Sequence, residues 1–356
     1  MSTTAPMQLA TFGFGIIFIF VLLSQSVMAC TRAVYLGPEQ TIITVRSMDW
    51  ASDIGSNVWL LPRGVQRDGA CGPGSMQWTS KYGSVISTAF DAATADGMNE
   101  KGLVANLLYL AESEYPTPSA TDPRSPMCIS VWTQYVLDQF ATVAEAVEAL
   151  REEPFYVVPV ESPDGHKGTV HLAISDPTGD SAIFEYVAGK LVIHHGREYQ
   201  VMTNSPVYDQ QLALNSYWEQ IGGTVMLPGT NRAADRFARA SFYVKAIPQT
   251  AKIEDAIASC FGVIRNVSVP LGISTPGQPN ISSTRWRTVS DHKNLRYFFE
   301  STRSPSVFWI SVRDLDFAAG APVKKLTVSD GSIYSGDAAD EFKSAPAFKF
   351  LTAAGQ

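Results

Sequence analysis

The chain has 356 residues, of which 45% are hydrophobic and 17% are charged. This composition excludes a mainly disordered protein, because enough apolar surface is available to offset the entropy of ordering. A formal net charge of −7 argues against nucleic acid as the main partner, and 4 cysteines are too few for a disulfide-dense scaffold.

The first 29 residues contain no Asp, Glu, Lys or Arg, and residues 12–23 are all apolar or glycine. This run is shorter than the roughly 20 residues that a membrane-spanning helix needs, and it is typical of the core of a signal peptide. The sequence therefore predicts a leader that is removed after Ala29, export to the periplasm, and a single mature domain from 30 to 356. The segment before the apolar run lacks Lys and Arg, and an uncleaved anchor over 9–28 is the alternative.

Predicted strands at 31–36 and 41–48 form a hairpin around a Gly-Pro turn, and strands with Gly/Pro turns continue to about residue 111. Three- and four-residue apolar spacing predicts helix over 129–151, where Thr142 and Glu145 form a capping box that starts a second helix. Strands resume at His171, a helix is expected at 231–247, and the last strands are expected at 286–289, 295–299 and 307–312. This order predicts two antiparallel sheets between helical layers.

Cleavage after Ala29 would make Cys30 the first residue of the mature chain. An N-terminal cysteine carries its own base, because the α-amine titrates near 8 and the thiol near 8.5, so the amine can take the thiol proton. The rival interpretation is a loose lipobox at 27–30, in which Cys30 is acylated and anchors a non-catalytic binding protein. The two exclude each other, since acylation consumes the thiol and the free amine.

Six sequence blocks then become informative together: CTRAVYLG at 30–37, VRSMDW at 45–50, DGMNEKGL at 96–103, VMTNSP at 201–206, LPGTNRAADRFARASF at 227–242 and WRTVSDHKNLRYFF at 286–299. With these blocks the chain resembles the choloylglycine hydrolase family of N-terminal nucleophile hydrolases, which contains conjugated bile salt hydrolases and penicillin V acylases. The resemblance implies an α+β fold, a four-layer αββα sandwich with two antiparallel sheets, and hydrolysis of a linear amide through a thioester.

The resemblance also implies roles for particular residues. Cys30 matches the nucleophile, Arg46 the arginine beside it, and Asp49 the carboxylate that binds the α-amine. Asn204 matches the side-chain donor of the oxyanion hole, and Arg236 matches a second arginine near the nucleophile. Residues three apart lie on opposite faces of a strand, so Arg46 and Asp49 are expected to converge only if the strand ends or bulges near residues 47–48.

Two further positions bear on substrate choice. Tyr109 stands where bile salt hydrolases typically carry Asn, which favours the acylase branch and leaves the Tyr109 backbone N–H as the second oxyanion donor. Trp50 adjoins Asp49 and is a candidate to stack on an acyl group, with ordinary core packing as the alternative. Penicillin V is the expected substrate class, N-acyl homoserine lactones are a second option, and conjugated bile acids are the alternative. The short span from Asn204 to Arg236 leaves the oligomeric state, a dimer or a tetramer, open.

The remaining residues predict little further chemistry. A Cys–His hydrolase using His194 or His195 is the rival mechanism, and no histidine has metal-ligand spacing, so no metal and no cofactor are expected. Cys71, Cys128 and Cys260 allow one disulfide, whose pairing stays undetermined. The expected partner is a small-molecule amide, with no nucleic acid and no stable membrane association after leader removal.

Overall fold

The structure is a computed structural model that describes residues 29–274 and 282–353. The expected leader lies outside these residues, apart from Ala29. The strands are β1 (Thr31–Leu36), β2 (Ile42–Trp50), β3 (Val58–Leu61), β4 (Gln66–Asp68), β5 (Gln77–Thr79), β6 (Ser84–Ala89), β7 (Ala93–Asn99), β8 (Val104–Tyr109), β9 (Ser125–Cys128), β10 (Phe155–Val158), β11 (Val170–Ser175), β12 (Ser181–Val187), β13 (Lys190–His195), β14 (Val201–Met202), β15 (Ser283–Asp291), β16 (Arg296–Ser301), β17 (Phe308–Ser311), β18 (Lys324–Leu326), β19 (Gly336–Asp337) and β20 (Lys343–Ser344). The α-helices are α1 (Ile129–Gln139), α2 (Val143–Arg151), α3 (Tyr208–Ile221), α4 (Ala233–Ala246) and α5 (Ile253–Asn266).

Two large sheets dominate the described part of the chain. The first has seven strands in the order β14-β1-β2-β15-β16-β17-β19, and the second has nine in the order β13-β12-β11-β8-β7-β6-β3-β18-β20. Their strands pair antiparallel, except β17 with β19 at one edge. Strands β1 and β2, which carry the predicted nucleophile and its neighbours, lie inside the first sheet and are therefore held on both sides.

The sheets face one another and helices cover their outer faces. Helices α4 and α5 pack on the first sheet, and α1 and α2 pack on the second. Polar contacts cross the interior between the sheets: Thr44 Oγ1 lies 2.7 Å from Ser175 Oγ, and the Tyr297 hydroxyl donates to Asp96 Oδ1 over 2.5 Å. The four-layer αββα sandwich expected from the family resemblance is confirmed.

The helices follow the predicted boundaries where a local signal exists. The 129–151 segment breaks into α1 and α2 at the capping box, where the Glu145 N–H donates to Thr142 Oγ1 and Glu145 Oε2 accepts from the Ala141 N–H. The helix expected at 231–247 is α4, whereas α3 and α5 were not predicted. No helix among the described residues is long and apolar enough to cross a membrane.

A disulfide joins Cys71 to Cys128, while Cys30 and Cys260 are free and buried. The bond ties the loop after β4 to the residue that precedes α1. The pairing that the sequence left undetermined is therefore Cys71 with Cys128, and Cys260 stays a free thiol in the core.

Replacing both Cys71 and Cys128 with serine is expected to lower the free energy of unfolding by about 2–5 kcal/mol, because the crosslink restricts the unfolded chain across a separation of 57 residues. Urea unfolding of the double variant against the oxidised parent measures the loss. Cys260→Ser is the control for removing a buried thiol without a crosslink. Equal midpoints for the parent and the double variant would contradict the expectation.

Candidate active site

Cys30 precedes β1 directly and its side chain is buried, with 2% exposed. Its Sγ lies 3.7 Å from Met48 Sδ and accepts a hydrogen bond from the Asp49 backbone N–H at 3.5 Å. Arg46 Nη2 approaches the same sulfur at 4.0 Å. Three residues of the neighbouring strand β2 thus surround the thiol.

The Arg46 guanidinium is held beside the sulfur by fixed partners. Its Nη2 donates to the Leu107 carbonyl over 2.9 Å and lies 3.3 Å from Met48 Sδ, and the guanidinium stacks 4.5 Å from the Trp286 ring centroid. Burial raises the pKa of the Cys30 thiol, the positive charge of Arg46 lowers it, and the charge of Asp49 raises it. Arg46 therefore favours the thiolate inside a site whose burial disfavours it.

Strand β2 places Arg46 and Asp49 differently from the convergence that the sequence considered. The condition for their convergence, an end or a bulge of the strand near residues 47–48, is not met, because β2 runs unbroken through Trp50. The irregularity lies instead on the partner strand β15, between Thr284 and Trp286. Arg46 and Asp49, three apart in an unbroken strand, lie on opposite faces of β2, and within the described chain no ion pair joins them. Cys30, at the strand end, is close to both faces.

Asp49 is fully buried and is poorly compensated. Neither carboxylate oxygen accepts a well-formed hydrogen bond from the described residues. Burial raises its pKa to about 6, against the opposing effects of Arg236, the nearby Thr284 hydroxyl and Arg46. Burying a carboxylate without hydrogen-bond donors destabilises the fold, so a cationic partner next to Asp49 would stabilise it.

In the described chain Ala29 is still peptide-bonded to Cys30 and is 1% exposed. The α-nitrogen of Cys30 is accordingly an amide nitrogen, which cannot act as a base. Release of Ala29 would create the α-ammonium group next to the carboxylate-bearing strand.

Arg236, on α4, connects the nucleophile to Asn204. Its Nη1 donates to the Cys30 carbonyl over 2.6 Å and to Thr31 Oγ1 over 2.5 Å, and its Nη2 donates to Asn204 Oδ1 over 2.9 Å. A guanidinium only donates, so it fixes the Asn204 amide with its oxygen towards Arg236 and its NH₂ on the other side. That NH₂ donates to the Tyr109 carbonyl over 2.6 Å and keeps a second N–H.

The Tyr109 backbone adjoins the Asn204 amide, which donates to its carbonyl. Tyr109 faces Val170 across β8 and β11, while the Leu110 N–H donates to the Thr169 carbonyl. The Tyr109–Val170 pair is thus a non-hydrogen-bonded one, and the Tyr109 N–H points away from β11, on the same side as its carbonyl. On that side β7 pairs with β8 only as far as Asn106. The expected oxyanion donors, Asn204 and the Tyr109 N–H, are therefore on the same side of β8.

A largely apolar pocket opens at the Cys30 thiol. Its lining includes Met48, Trp50, Phe90, Leu107 and Tyr109, and it continues to residues of α1 and of the loop before β11. Such a wall favours an apolar acyl group over a charged one.

Trp50 is a wall residue of this pocket and not a core tryptophan. Its indole N–H donates to Asp164 Oδ2 over 2.7 Å, and its ring meets those of Phe90, Tyr109 and His166 edge-on at 5.9, 6.3 and 5.6 Å. Asp164 also accepts from the Ser52 and Ser162 hydroxyls, and against a partial desolvation that raises its pKa these bonds hold the pKa down at about 2. The ionised Asp164 fixes the indole against the pocket.

The Cys–His alternative finds no support in the geometry. His195 pairs with Asp180, and His194 packs against Tyr199 and Tyr208, so neither contacts Cys30. His171 bridges Glu185 (2.8 Å) and the carbonyl of Thr203 (2.7 Å), the residue before Asn204. No group of three His, Cys, Asp or Glu side chains suited to a metal occurs within 29–274 and 282–353.

Comparison with known proteins adds independent information. The family model of linear amide C–N hydrolases, choloylglycine hydrolase family, matches residues 30–325. The chain belongs to the choloylglycine hydrolase family. It is therefore a hydrolase of linear amide C–N bonds.

Individual relatives agree. A penicillin V acylase from Pectobacterium atrosepticum is 53% identical over 347 residues, which cover 91% of this chain and 92% of the relative. A bile salt hydrolase/transferase from Clostridium perfringens is 30% identical over 283 residues, covering 72% of this chain and 84% of the relative. The structure of a penicillin V acylase from Agrobacterium tumefaciens superimposes with a TM-score of 0.84 at 57% identity, covering 91% of this chain and 100% of that one.

Sequence reasoning missed several pocket residues. Met48 lies within the VRSMDW block, two residues after the candidate Arg46, and this alternation along the strand could have indicated it. Phe90, Asp164 and His166 come from turns and loops with no readable pattern, and only the folded chain brings them to Trp50.

Proposed function

We propose that this protein is an exported amidase in which Cys30, as the free N-terminal residue, cleaves amides of aromatic acyl groups such as the phenoxyacetyl group of penicillin V. The observation that carries the proposal is that the Cys30 sulfur lies on the wall of an aromatic-lined pocket, while Arg236 binds both the Cys30 carbonyl and the Asn204 amide oxygen. Phenoxyacetyl is apolar and flat, which suits a wall formed by Trp50, Phe90 and Tyr109.

The reaction begins with proton transfer from the thiol to the neutral α-amine of Cys30. The thiolate forms a bond to the amide carbonyl carbon, and the C–N bond then breaks as the leaving amine takes the proton. Water, deprotonated by the α-amine, attacks the thioester and releases the acid and the thiol. Asp49, whose carboxylate has no other well-formed donor, orients the α-amine and stabilises the ammonium that forms in each half of the reaction.

Negative charge on the carbonyl oxygen is stabilised by the Asn204 NH₂ and the Tyr109 N–H. Both are fixed before the substrate arrives, Asn204 by Arg236 and Tyr109 by its strand. A neutral, preorganised donor stabilises the developing charge without itself losing a proton.

Asn204→Ala is expected to lower kcat by roughly 10²–10³-fold with little change in KM, because the donor acts mainly on the transition state. Steady-state kinetics on a phenoxyacetyl amide measure this. Asn215→Ala is a matched control, since Asn215 lies on α3 and its side-chain amide donates to Glu219 Oε1. A kcat for Asn204→Ala within threefold of the parent would contradict the role.

Substrate preference within the family is the finer question. The relatives at 53% and 57% identity are named penicillin V acylases, whereas the named bile salt hydrolases share 30% or less. Tyr109, which lines the pocket where bile salt hydrolases typically carry Asn, also favours a penicillin V acylase preference. The purified mature chain, tested on penicillin V, an N-acyl homoserine lactone and glycocholate, should hydrolyse penicillin V with the highest kcat/KM. Preferential release of glycine from glycocholate would favour the bile salt alternative.

Export and leader removal belong to the same proposal. The Cys71–Cys128 disulfide suits an oxidising compartment such as the periplasm, and the orphaned Asp49 suits a chain that gains a cation at Cys30. The intact mass of protein purified from the periplasmic fraction should correspond to residues 30–356. Retention of the leader on Cys30→Ala made without the export pathway would indicate autocatalytic removal, and its loss would indicate a separate peptidase.

The lipid-anchor alternative is disfavoured by burial. The Cys30 thiol lies within 4.0 Å of Arg46 and Met48, and Arg236 binds the Cys30 carbonyl. A diacylglycerol group on this sulfur would displace these contacts, so an unmodified mass at Cys30 is expected.

Self-association is proposed from one face. Helix α3 and the loop after it expose large apolar side chains, namely Leu212, Leu214, Tyr217, Val225 and Met226. Several large apolar side chains exposed on one helix and on the loop after it are typical of a protein interface. A homo-oligomer formed through the α3 face should appear in light scattering, and Tyr217→Lys with Val225→Lys should dissociate it.

A further inference from the structure

We infer that the C-terminal segment 345–353, called here the strap, forms part of the acyl-binding wall and that Leu351 limits the size of the acyl group. The strap lies beyond residues 30–325 that match the family model. The inference rests on the proposed hydrolysis at Cys30 and adds to it the element that sets acyl selectivity.

Leu351 is fixed through both of its backbone groups. Its N–H donates to the Ala92 carbonyl over 2.8 Å, and its carbonyl accepts from the Ser130 hydroxyl over 2.6 Å. Ala92 belongs to the turn between β6 and β7, and Ser130 belongs to the first turn of α1.

Both of these anchor points border the pocket. Phe90 and Ala93 flank Ala92, and Ile129 adjoins Ser130, and all three line the cavity that Cys30 and Leu351 also line. Leu351 therefore bonds to two walls of the pocket, the β6–β7 turn and α1, and its isobutyl group occupies space that an acyl chain would use.

Aromatic packing holds the strap in place away from the pocket. Phe348 is 8% exposed and meets the Trp59 ring edge-on at 4.9 Å, and Phe350 contacts Phe348 at 4.8 Å. The Arg67 guanidinium lies 5.9 Å from the Phe350 ring centroid. Because Phe348 does not line the pocket, the anchoring of the strap can be changed without altering the wall itself.

The test uses the mature full-length protein and the 4-nitroanilides of acetic, phenoxyacetic and decanoic acid. Leu351→Gly should raise the decanoyl to phenoxyacetyl ratio of kcat/KM at least tenfold, because even one methylene more or less in a hydrophobic pocket changes selectivity by roughly 10–200-fold. Leu351→Trp should lower phenoxyacetyl turnover relative to acetyl turnover at least tenfold. Phe348→Ala should shift the ratio in the same direction as Leu351→Gly.

Thr352→Ala is the matched control, since Thr352 is the exposed neighbour of Leu351 in the strap. Ratios within twofold of the parent in all three variants, with acetyl turnover retained, would overturn the inference while leaving the proposed function standing. Binding of phenoxyacetate and decanoate to Cys30→Ala, with and without Leu351→Gly, gives a readout that needs no turnover. If the parent hydrolyses none of the anilides, the proposed function fails. If Leu351→Gly then also leaves the ratio of the decanoate and phenoxyacetate Kd values unchanged, the inference about the strap is overturned as well.

Discussion

Replacing Cys30 with alanine is expected to lower amide hydrolysis by roughly 10⁴-fold or more, because the reaction loses its nucleophile and not only one contact to the transition state. The surrounding site should survive. Arg236 binds the Cys30 backbone carbonyl, and Arg46 keeps its bond to Leu107. Binding of the product acid is therefore expected to persist in the inactive variant.

The measurement is single-turnover kinetics on penicillin V together with calorimetric binding of phenoxyacetate. Cys260→Ala is the matched control, since Cys260 is also free and buried but lies in α5, where burial raises its pKa and no charged partner lowers it. The control should retain full activity. Turnover by Cys30→Ala comparable to that of the parent would mean that another residue is the nucleophile.

Asp49→Asn is expected to reduce kcat by roughly 10²–10⁴-fold, since the α-amine loses the carboxylate that orients it and stabilises its charged form. The same variant should change the pH dependence of stability in the chain that retains Ala29. In that chain the folded pKa of Asp49 is about 6, above its ordinary value of 3.8. The folded state then holds the Asp49 proton more tightly than the unfolded state does. The resulting contribution to the free energy of unfolding is fully present below about pH 4 and is lost as the pH rises to about 6.

At 1.36 kcal/mol for each pH unit, this loss amounts to roughly 3 kcal/mol. Asp49→Asn should remove this decrease in the free energy of unfolding with rising pH, as measured by urea unfolding from pH 4 to pH 7. Asp340→Asn, at an exposed position, is the control and should keep it. In the mature chain the α-ammonium should lower the pKa of Asp49, so the parent slope should become flatter after Ala29 is removed. Equal slopes for Asp49→Asn and the parent, both retaining Ala29, would show that Asp49 is compensated in some other way.

Much of the fold was readable because local patterns and recognisable blocks agreed. Strand β1 falls on the predicted residues 31–36, and the capping box at Thr142 marks the start of α2. The last strands shift by only a few residues at each end. Helices α3 and α5 were missed, and α3 has a polar sequence with only three buried residues, so its apolar periodicity is weak.

The candidate site was readable to the extent that its residues lie within those blocks. Arg46 and Arg236 lie next to Cys30 and Arg236 binds Asn204, but the bulge near residues 47–48 that would let Arg46 and Asp49 converge is absent from β2. An unbroken β2 presents them on opposite faces, and the bulge belongs to β15. A bulge on a distant partner strand leaves no mark in the sequence of β2, so local reasoning could not place it.

The sequence by itself determined the family and the residues proposed for the chemistry: Cys30, which we propose follows a removable leader, and the charged and amide side chains that such a nucleophile needs. Residue type and order are enough for this, because the reactivity of a thiol beside its own amine is a local property. Only the tertiary structure decided how the pocket is shaped. Trp50, Asp164 and Leu351 are distant in the chain, and they become neighbours because the two sheets, the loop before β11 and the strap pack together. Pocket shape depends on such long-range packing, which no single segment encodes.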